Sequence, residues 1–121
     1  NYDSISIPEF MFEEKYGRHP LKQSQNPFTC GITGITYTAL EMANRVELLS
    51  KGLARELGWY PNEGNEWKKV AGIFSLNTVD YMTVVYAVHR LSGIVTPVSP
   101  TSSSSQLEHQ LRASGAKALF T

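Results

Sequence analysis

The sequence predicts an α/β fold, a parallel βαβαβ unit with a preceding helix and hairpin. Two observations in the second half predict it: short apolar runs alternate with segments of helical periodicity, and glycines, prolines or serines separate them. The links are short, and parallel strands joined through helices form right-handed crossovers. We therefore expect three parallel strands covered by helices, which is half of a doubly wound domain.

Composition limits the classes of function. The chain has 121 residues, no formal net charge and 41% apolar residues, which favours one folded domain. Its eleven basic and eleven acidic residues are scattered, so no basic stripe indicates nucleic acid as a partner. We see no run long enough to span a membrane and no secretory leader. The single cysteine, Cys30, cannot form an internal disulfide and fits either a reducing compartment or indifference to redox conditions.

The first part, residues 1–35, is predicted to be an irregular lead before the βαβαβ subdomain of residues 36–121. "PEFMFEEKYG" predicts a short helix with Pro8 in its first turn and Gly17 at its end. The clustered apolar side chains of residues 10–12 are expected to pack on the body of the protein or on a part outside this sequence. "PFTCGITGITYT" alternates β-formers with glycines and predicts a hairpin.

A long amphipathic helix should follow the hairpin. Thr38 and Glu41 match a capping box, in which each side chain satisfies the other residue's backbone N–H. Gly58 is a favourable left-handed stop. Helical spacing places these residues on one apolar face: Leu40, Ala43, Val46, Leu49, Leu53 and Leu57.

The next stretch contains a loop, a strand and a second helix. Trp59 and Trp67 flank "WYPNEGNEW" and are expected to fix this loop to the core. "KVAGIFSL" lacks alternation, as in a strand buried on both faces. The helix "TVDYMTVVYAVHRLSG" begins at a cap, Asn77 or Thr78, and Gly93 should end it. Its apolar residues lie nearly all round, so we expect it to be largely buried.

Two more strands and one helix complete the pattern. "IVTPV" is the next strand, and Pro97 indicates that it ends there or lies at a sheet edge. "AKALFT" is the third strand, after a helix that Gly115 ends. One face of that helix carries Leu107, Gln110, Leu111 and Ser114.

The serine run in "TPVSPTSSSSQLEHQL" raises the question of a phosphate site. Phosphate cradles use glycines for close backbone approach, but no glycine lies within residues 94–114 and no lysine follows the serines. Capping boxes fit instead, with Ser103 and Gln106 or with Ser105 and Glu108. We interpret the run as the start of a helix.

No histidine shows a metal-binding pattern. His19, His89 and His109 are far apart, and only Glu108 neighbours one of them. Adjacent helical residues point in different directions. His89 and Arg90 end a helix, where its dipole favours positive charge.

Nucleophilic catalysis is not indicated either. Ser75 lies between a strand and a helix but lacks the Gly-x-Ser-x-Gly frame. Asp80 and Tyr81 lie early in a helix, where an aspartate complements the dipole. We therefore predict no catalytic, cofactor-binding or metal-binding residue in this chain.

Four phrases occur in a familiar order: "TYTAL", "SLNTVDY", "SGIVTPVSPTS" and "QLEHQLRASGAKALFT". Over about two-thirds of the chain they resemble the N-terminal part of the adenylate-forming (AMP-binding) enzymes, especially acyl-CoA synthetases of the 4-coumarate–CoA ligase type. Two features depart from the family. Ser99 and Pro100 stand where Asn-Pro is usual, and "WYPNEGNEWKK" is longer than usual and lacks the common Gly-Asp turn.

The resemblance implies a parent ligase that uses ATP, magnesium and coenzyme A to turn a carboxylic acid into an acyl-adenylate and then a thioester. The phosphate loop, adenine- and ribose-binding segments, acyl pocket and catalytic lysine of that family lie downstream, so no site residue carries over. The start at Asn1 and the end at Thr121 suggest a piece of a longer enzyme. We expect it to be inactive alone, to pack on the remainder of that enzyme, to self-associate when isolated, and to reside in the cytosol or peroxisome.

Two alternatives stay open on the residues alone. One is a free-standing, non-catalytic α/β module that binds a protein or a small ligand. The other is a nucleotide-binding half-domain that works by itself, against which the missing glycine cradle argues.

Overall fold

The computed structural model describes residues 5–25 and 28–121. Three single-turn 3₁₀ helices occupy Glu14–Tyr16, Leu21–Gln23 and Glu66–Lys68. The other elements, in chain order, are α1 (Ile7–Phe12), β1 (Phe28–Thr29), β2 (Thr36–Tyr37), α2 (Ala39–Leu57), β3 (Val70–Phe74), α3 (Val79–Arg90), β4 (Ile94–Val98), α4 (Ser104–Ser114) and β5 (Ala118–Phe120).

Three parallel strands form the main sheet in the order β4-β3-β5, which confirms the predicted βαβαβ unit. Central Ala71 is in register with Val95 of β4 and with Ala118 of β5. β4 is an edge strand, as Pro97 predicted. β1 and β2 pair antiparallel and confirm the hairpin. The division between residues 1–35 and 36–121 stays a prediction.

Helices cover both faces of this sheet. On one face, Ala71 packs with residues of α2 and α3 in a cluster of Leu53, Trp59, Ala71, Ala87, Val88 and Leu91. On the other face lies α4: an added Cβ on Gly72 would lie 2.7 Å from Leu111 Cδ2. Because successive strand residues point to opposite faces, α3 and α4 cover opposite sides of the sheet. This arrangement is the doubly wound pattern that the sequence predicted.

α2 begins and ends as predicted. Thr38 and Glu41 form a capping box, and Gly58 has φ 67°. The buried stripe is displaced from the predicted one: Val46 and Leu53 are buried, but the remaining buried positions are Ala39, Met42 and Ser50. Four predicted core residues, Leu40, Ala43, Leu49 and Leu57, are only partly buried.

The first helix is shorter than predicted. α1 ends at Phe12, because Glu13 adopts an extended conformation, and only a 3₁₀ turn leads to Gly17 at φ 92°. Phe12 is 6% exposed and packs on the body of this chain. Phe10 is 52% and Met11 38% exposed, so packing of these two side chains on a part outside this sequence stays a prediction.

Ser6 caps α1 with a capping box to Glu9, which the sequence analysis missed. The Glu9 N–H donates to Ser6 Oγ at 3.4 Å, and the Ser6 N–H donates to Glu9 Oε2 at 2.7 Å.

Two further expectations need correction. Trp59 is 6% exposed and fixes its end of the loop, but Trp67 is 71% exposed. α3 is less buried than predicted, since Thr83, Ala87 and Val88 are its only buried residues in the described chain. Thr78 is its N-cap, without a side-chain cap bond.

Gly93 does not end α3. The helix stops at Arg90, and Ser92 has the positive φ of 57°. A Cβ on Gly93 would lie 2.8 Å from the Lys69 carbonyl oxygen and 2.9 Å from Val88 Cγ1. Glycine is therefore required here for close approach to the start of β3.

No helix within the described residues has the length and apolar character needed to cross a membrane.

Candidate functional site

Sheet topology points to the carboxyl ends of β3 and β4. Phe74 and Val98 are in register as the last residues of these strands, so the loops after them start side by side. One loop leads to α3 and the other to α4, which cover opposite faces. In open α/β sheets, ligands bind in the crevice between such loops. The candidate site therefore lies between residues 75–78 and 99–103.

The serine run forms a helix cap in this crevice. The Gln106 N–H donates to Ser103 Oγ at 3.3 Å, and the Ser103 N–H donates to Gln106 Oε1 at 2.8 Å. Capping is therefore confirmed in the Ser103 frame, and the alternative frame beginning at Ser105 is wrong. The Ser105 hydroxyl lies 3.1 Å from Ser103 Oγ instead.

The remaining polar groups of the crevice bond locally. The Ser99 and Thr101 hydroxyl oxygens are 2.9 Å apart, and the Ser102 N–H donates to the Ser99 carbonyl at 3.0 Å. The Ser75 hydroxyl donates to the Leu76 carbonyl at 3.1 Å. Neither loop contains a charged residue. This edge offers hydroxyls and amides, but no cation to offset a phosphate and no acid–base group.

A small cavity of about 190 Å³ lies beside the crevice, between the β1–β2 hairpin and the start of α3. Cys30 lines it and is 4% exposed. Hydrogen bonds from the Thr33 side chain, and then from the Thr33, Ile32 and Val79 backbone, lower the pKa of the Cys30 thiol to about 7. The cavity is smaller than the roughly 300 Å³ at which small-molecule pockets begin.

A larger groove of about 590 Å³ lies at the opposite edge, where β3 and β4 begin. Lys69 lines it but is 5% exposed, and its Nζ donates to the carbonyls of Tyr60 at 2.8 Å and Leu91 at 2.9 Å. Buried polar groups need such partners. The Lys69 ammonium therefore joins the loop after α2 to the end of α3, and its role is structural.

His89 lines the same groove and is half-buried. Its Nδ1 is buried without a hydrogen-bond partner among the described residues, and burial lowers the pKa of the imidazole. A lower pKa favours the neutral ring, which weakens the predicted interaction of His89 with the helix dipole. Arg90 fits that prediction better, and its guanidinium lies 2.8 Å from Glu47 Oε2.

The other candidate side chains do not converge. His19 and His109 are exposed, and Glu108 pairs with Arg112 at 2.8 Å rather than with His109. Asp80 forms an ion pair with Arg45 of α2. Within residues 5–25 and 28–121, no group of three or more His, Cys, Asp or Glu side chains could hold a metal ion.

Two structural residues escaped the sequence analysis. Lys69 precedes an apolar strand, and its charge gave no sign of burial. Gln110 was predicted to share a face of α4 with Leu107 and Leu111, but its hydrogen bonds were not predicted. Its Nε2 donates to Thr96 Oγ1 at 3.0 Å and to the Pro97 carbonyl at 2.7 Å. Only contacts between distant segments reveal either role.

Comparison with known proteins decides the family. The model for the AMP-binding enzyme family matches residues 14–121. The chain belongs to the AMP-binding enzyme family. The chain is 40% identical over 119 residues to acyl-CoA ligase easD of Emericella nidulans, covering 98% of the chain and 21% of easD. It is 37% identical over 115 residues to acyl-CoA ligase gloD of Glarea lozoyensis, covering 95% of this chain and 20% of gloD. It thus spans about a fifth of the length of these curated relatives.

Solved structures share the fold of this family member. The N-terminal subdomain of Klebsiella oxytoca NpsA matches with a TM-score of 0.70 at 18% identity, over 95% of this chain and 27% of that one. The nonribosomal peptide synthetase FmoA3, solved with α-methyl-L-serine-AMP, matches with a TM-score of 0.74 at 17% identity, over 98% of this chain and 12% of that one. The predicted placement in the N-terminal domain of the adenylate-forming fold is confirmed.

Proposed function

We propose that these 121 residues form the N-terminal subdomain of an ATP-dependent acyl-CoA ligase. The parent enzyme would join a carboxylic acid to AMP, release pyrophosphate, and pass the acyl group to coenzyme A. One observation carries the proposal: acyl-CoA ligase easD is 40% identical to this chain over 98% of its residues. The family match over residues 14–121 supports the adenylation step.

The role of this subdomain would be architectural. Adenylation requires cationic groups and a metal to offset the charge of the phosphates. The described residues do not fit that requirement, since the crevice loops are uncharged and no carboxylate or histidine cluster could hold Mg²⁺. ATP, Mg²⁺ and coenzyme A would therefore bind to other parts of the enzyme, and this unit would support them.

The main partner of the subdomain would then be the remainder of its own polypeptide. Several large apolar side chains are more than half exposed, which suits a unit that packs on something else. They include Ile7, Phe10, Tyr60, Trp67 and Leu76. Because ATP and coenzyme A are intracellular substrates, we place the enzyme inside the cell, in the cytosol or peroxisome.

Acid-dependent exchange of labelled pyrophosphate into ATP tests the proposed activity. The full-length polypeptide that contains this sequence should catalyse it with members of a panel of aromatic and fatty acids. Adding coenzyme A should yield a thioester, and removing Mg²⁺ with a chelator should abolish both reactions. Folded full-length protein that shows no exchange with any acid would contradict the ligase.

Calorimetry separates the architectural role from independent nucleotide binding. Titration of Mg-ATP into the 121-residue chain should give no binding heat. A measurable dissociation constant would instead support a half-domain that binds nucleotide by itself. A natural message that starts just before Asn1 and stops just after Thr121 would support a free-standing module.

A further inference from the structure

The two outer strands of the main sheet differ in their free edges. In a parallel ladder, the N–H and C=O groups of alternate residues face one neighbouring strand, and those of the intervening residues face the other side. β3 has a partner on each side, whereas β4 and β5 each have one. Each outer strand therefore has a row of backbone groups that face away from the sheet.

The free edge of β4 is half closed. The Ile94 N–H donates to the Lys69 carbonyl at 2.8 Å, so alternation turns the backbone groups of Val95 and Pro97 outward. Pro97 has no N–H to donate. Its carbonyl already accepts from Gln110 Nε2 at 2.7 Å. Two of the four outward hydrogen-bonding positions are therefore lost to an incoming strand.

The free edge of β5 is open. The Lys117 N–H donates to the Val70 carbonyl at 2.8 Å, so Ala118 and Phe120 turn their N–H and C=O groups outward. No hydrogen bond within the described part of the chain engages these four groups. No proline interrupts the strand, and no side chain caps it.

Side chains on both faces of β5 are apolar. Ala118 and Phe120 pack against the core cluster beneath α2 and α3. Leu119 points to the α4 face, with its Cδ1 3.2 Å from the position of a Cβ on Gly72, and it is 40% exposed. A strand beside β5 would extend both apolar layers, so it would itself be apolar on both faces, as strands inside parallel sheets are.

We propose that a β-strand from the remainder of the same polypeptide pairs with the outer edge of β5, at the groups of Ala118 and Phe120. This inference rests on the proposed function, since relatives such as easD are about five times longer than this chain, which covers 21% of that protein. Proteins seldom leave an apolar strand edge unpaired, because it would recruit other chains. The β4 edge, with Pro97 and Gln110, serves as the outer limit of the sheet.

Hydrogen exchange in the full-length polypeptide, resolved to single amides, tests the pairing. The Ala118 and Phe120 amides should exchange at least ~100-fold more slowly than the outward-facing amide of Val95, which is the matched control on β4. Equal, rapid exchange at all three amides would overturn the proposal. Protection that disappears on tenfold dilution would also overturn it, because the occupant would then be a second copy.

A pair of proline variants provides an independent readout. Ala118→Pro removes one outward N–H of β5 and should lower the thermal midpoint of the full-length protein by several degrees. Val95→Pro removes the corresponding N–H on β4 and should change it less. Equal midpoints would contradict the proposal. A protein without ligase activity but with protected Ala118 and Phe120 amides would refute the proposed function and leave the pairing intact.

Discussion

Single residues tie this fold together where backbone segments come closest. Gly72 admits Leu111 of α4 onto the sheet, and Gly93 lets the turn after α3 meet the start of β3. Lys69 satisfies two carbonyls inside the same junction. Removing such a donor would leave those carbonyls unpaired, which would cost roughly 1–3 kcal/mol of stability for each. These positions are set by steric and hydrogen-bond requirements rather than by local propensity.

Gly93→Ala should destabilise the chain by about 1–3 kcal/mol, because its Cβ meets backbone atoms that cannot rotate away. Urea unfolding followed by circular dichroism measures the change. Gly52→Ala is the matched control: nothing lies within 4 Å of that position in α2, so the variant should gain up to about 1 kcal/mol from helix propensity. Equal stabilities for both variants would show that the close approach is absent.

His89 should make stability depend on pH. Burial lowers the pKa of its imidazole below the usual 6.5 of histidine, so the unfolded chain binds a proton that the folded chain resists. The stability that the neutral His89 ring contributes is complete above the pKa of the ring in the unfolded chain. It is lost as the pH falls through the lower pKa of the ring in the folded chain. Between pH 7 and 5 the free energy of unfolding should fall further in the wild type than in His89→Gln. The difference should be below about 1 kcal/mol, since the ring is only half-buried. Parallel pH profiles from unfolding titrations would contradict this cause.

Elements follow from local signals near their ends. Three helices, α1, α2 and α4, carry capping boxes that satisfy their first orphan amides, and left-handed glycines end α2 and α4. α3 lacks a side-chain cap bond at Thr78. It packs against α2 through apolar side chains, and the Arg45–Asp80 ion pair also joins the two helices. The most exposed helix, α4, therefore relies on its cap more than the better packed α3 does.

Ser103→Ala should cost about 1 kcal/mol, since it removes the acceptor for the Gln106 N–H at the start of α4. Ser105→Ala should cost less, although the two serines are neighbours in the same run. Urea unfolding of both variants distinguishes the two capping frames that the sequence allowed. A larger loss for Ser105→Ala would place the start of α4 two residues later.

The whole molecule presents apolar surface and one open strand edge. The sheet core is covered on both faces, but the α1 side chains of Ile7 and Met11 are 59% and 38% exposed one helical turn apart. Large exposed apolar side chains and open strand edges promote association. An isolated chain of this kind should therefore be less soluble than a typical complete domain of its size.

Sedimentation velocity of the 121-residue chain should show self-association that increases with concentration. The double variant Ile7→Ser, Met11→Ser should reduce it, because both side chains leave one apolar surface. Leu48→Ser, at a residue 71% exposed on the solvent side of α2, is the control and should have a smaller effect. A monomer at every concentration, without binding of an apolar dye, would argue against an exposed docking surface.

The sequence by itself determined the order of the main strands and helices, the start and end of α2, and the family. The helix signals are local: the capping box of Thr38 and Glu41 and the stop at Gly58 each depend on residues within a turn or two, whereas the cap of α4 was left open between Ser103 and Ser105. The wrong prediction for Trp67 has the same cause, since its burial was predicted from residue type and no local signal specifies what lies opposite this side chain.

Only the tertiary structure decided which strands are neighbours and what each junction requires. The order β4-β3-β5, the burial of Lys69 and the bond from Gln110 to Pro97 each join segments far apart in the chain. Helical periodicity predicts that one face of a helix is apolar, but not which surface that face packs against. Contacts between distant segments depend on the free energy of the whole folded chain. The open edge of β5 became visible only when those contacts were in place.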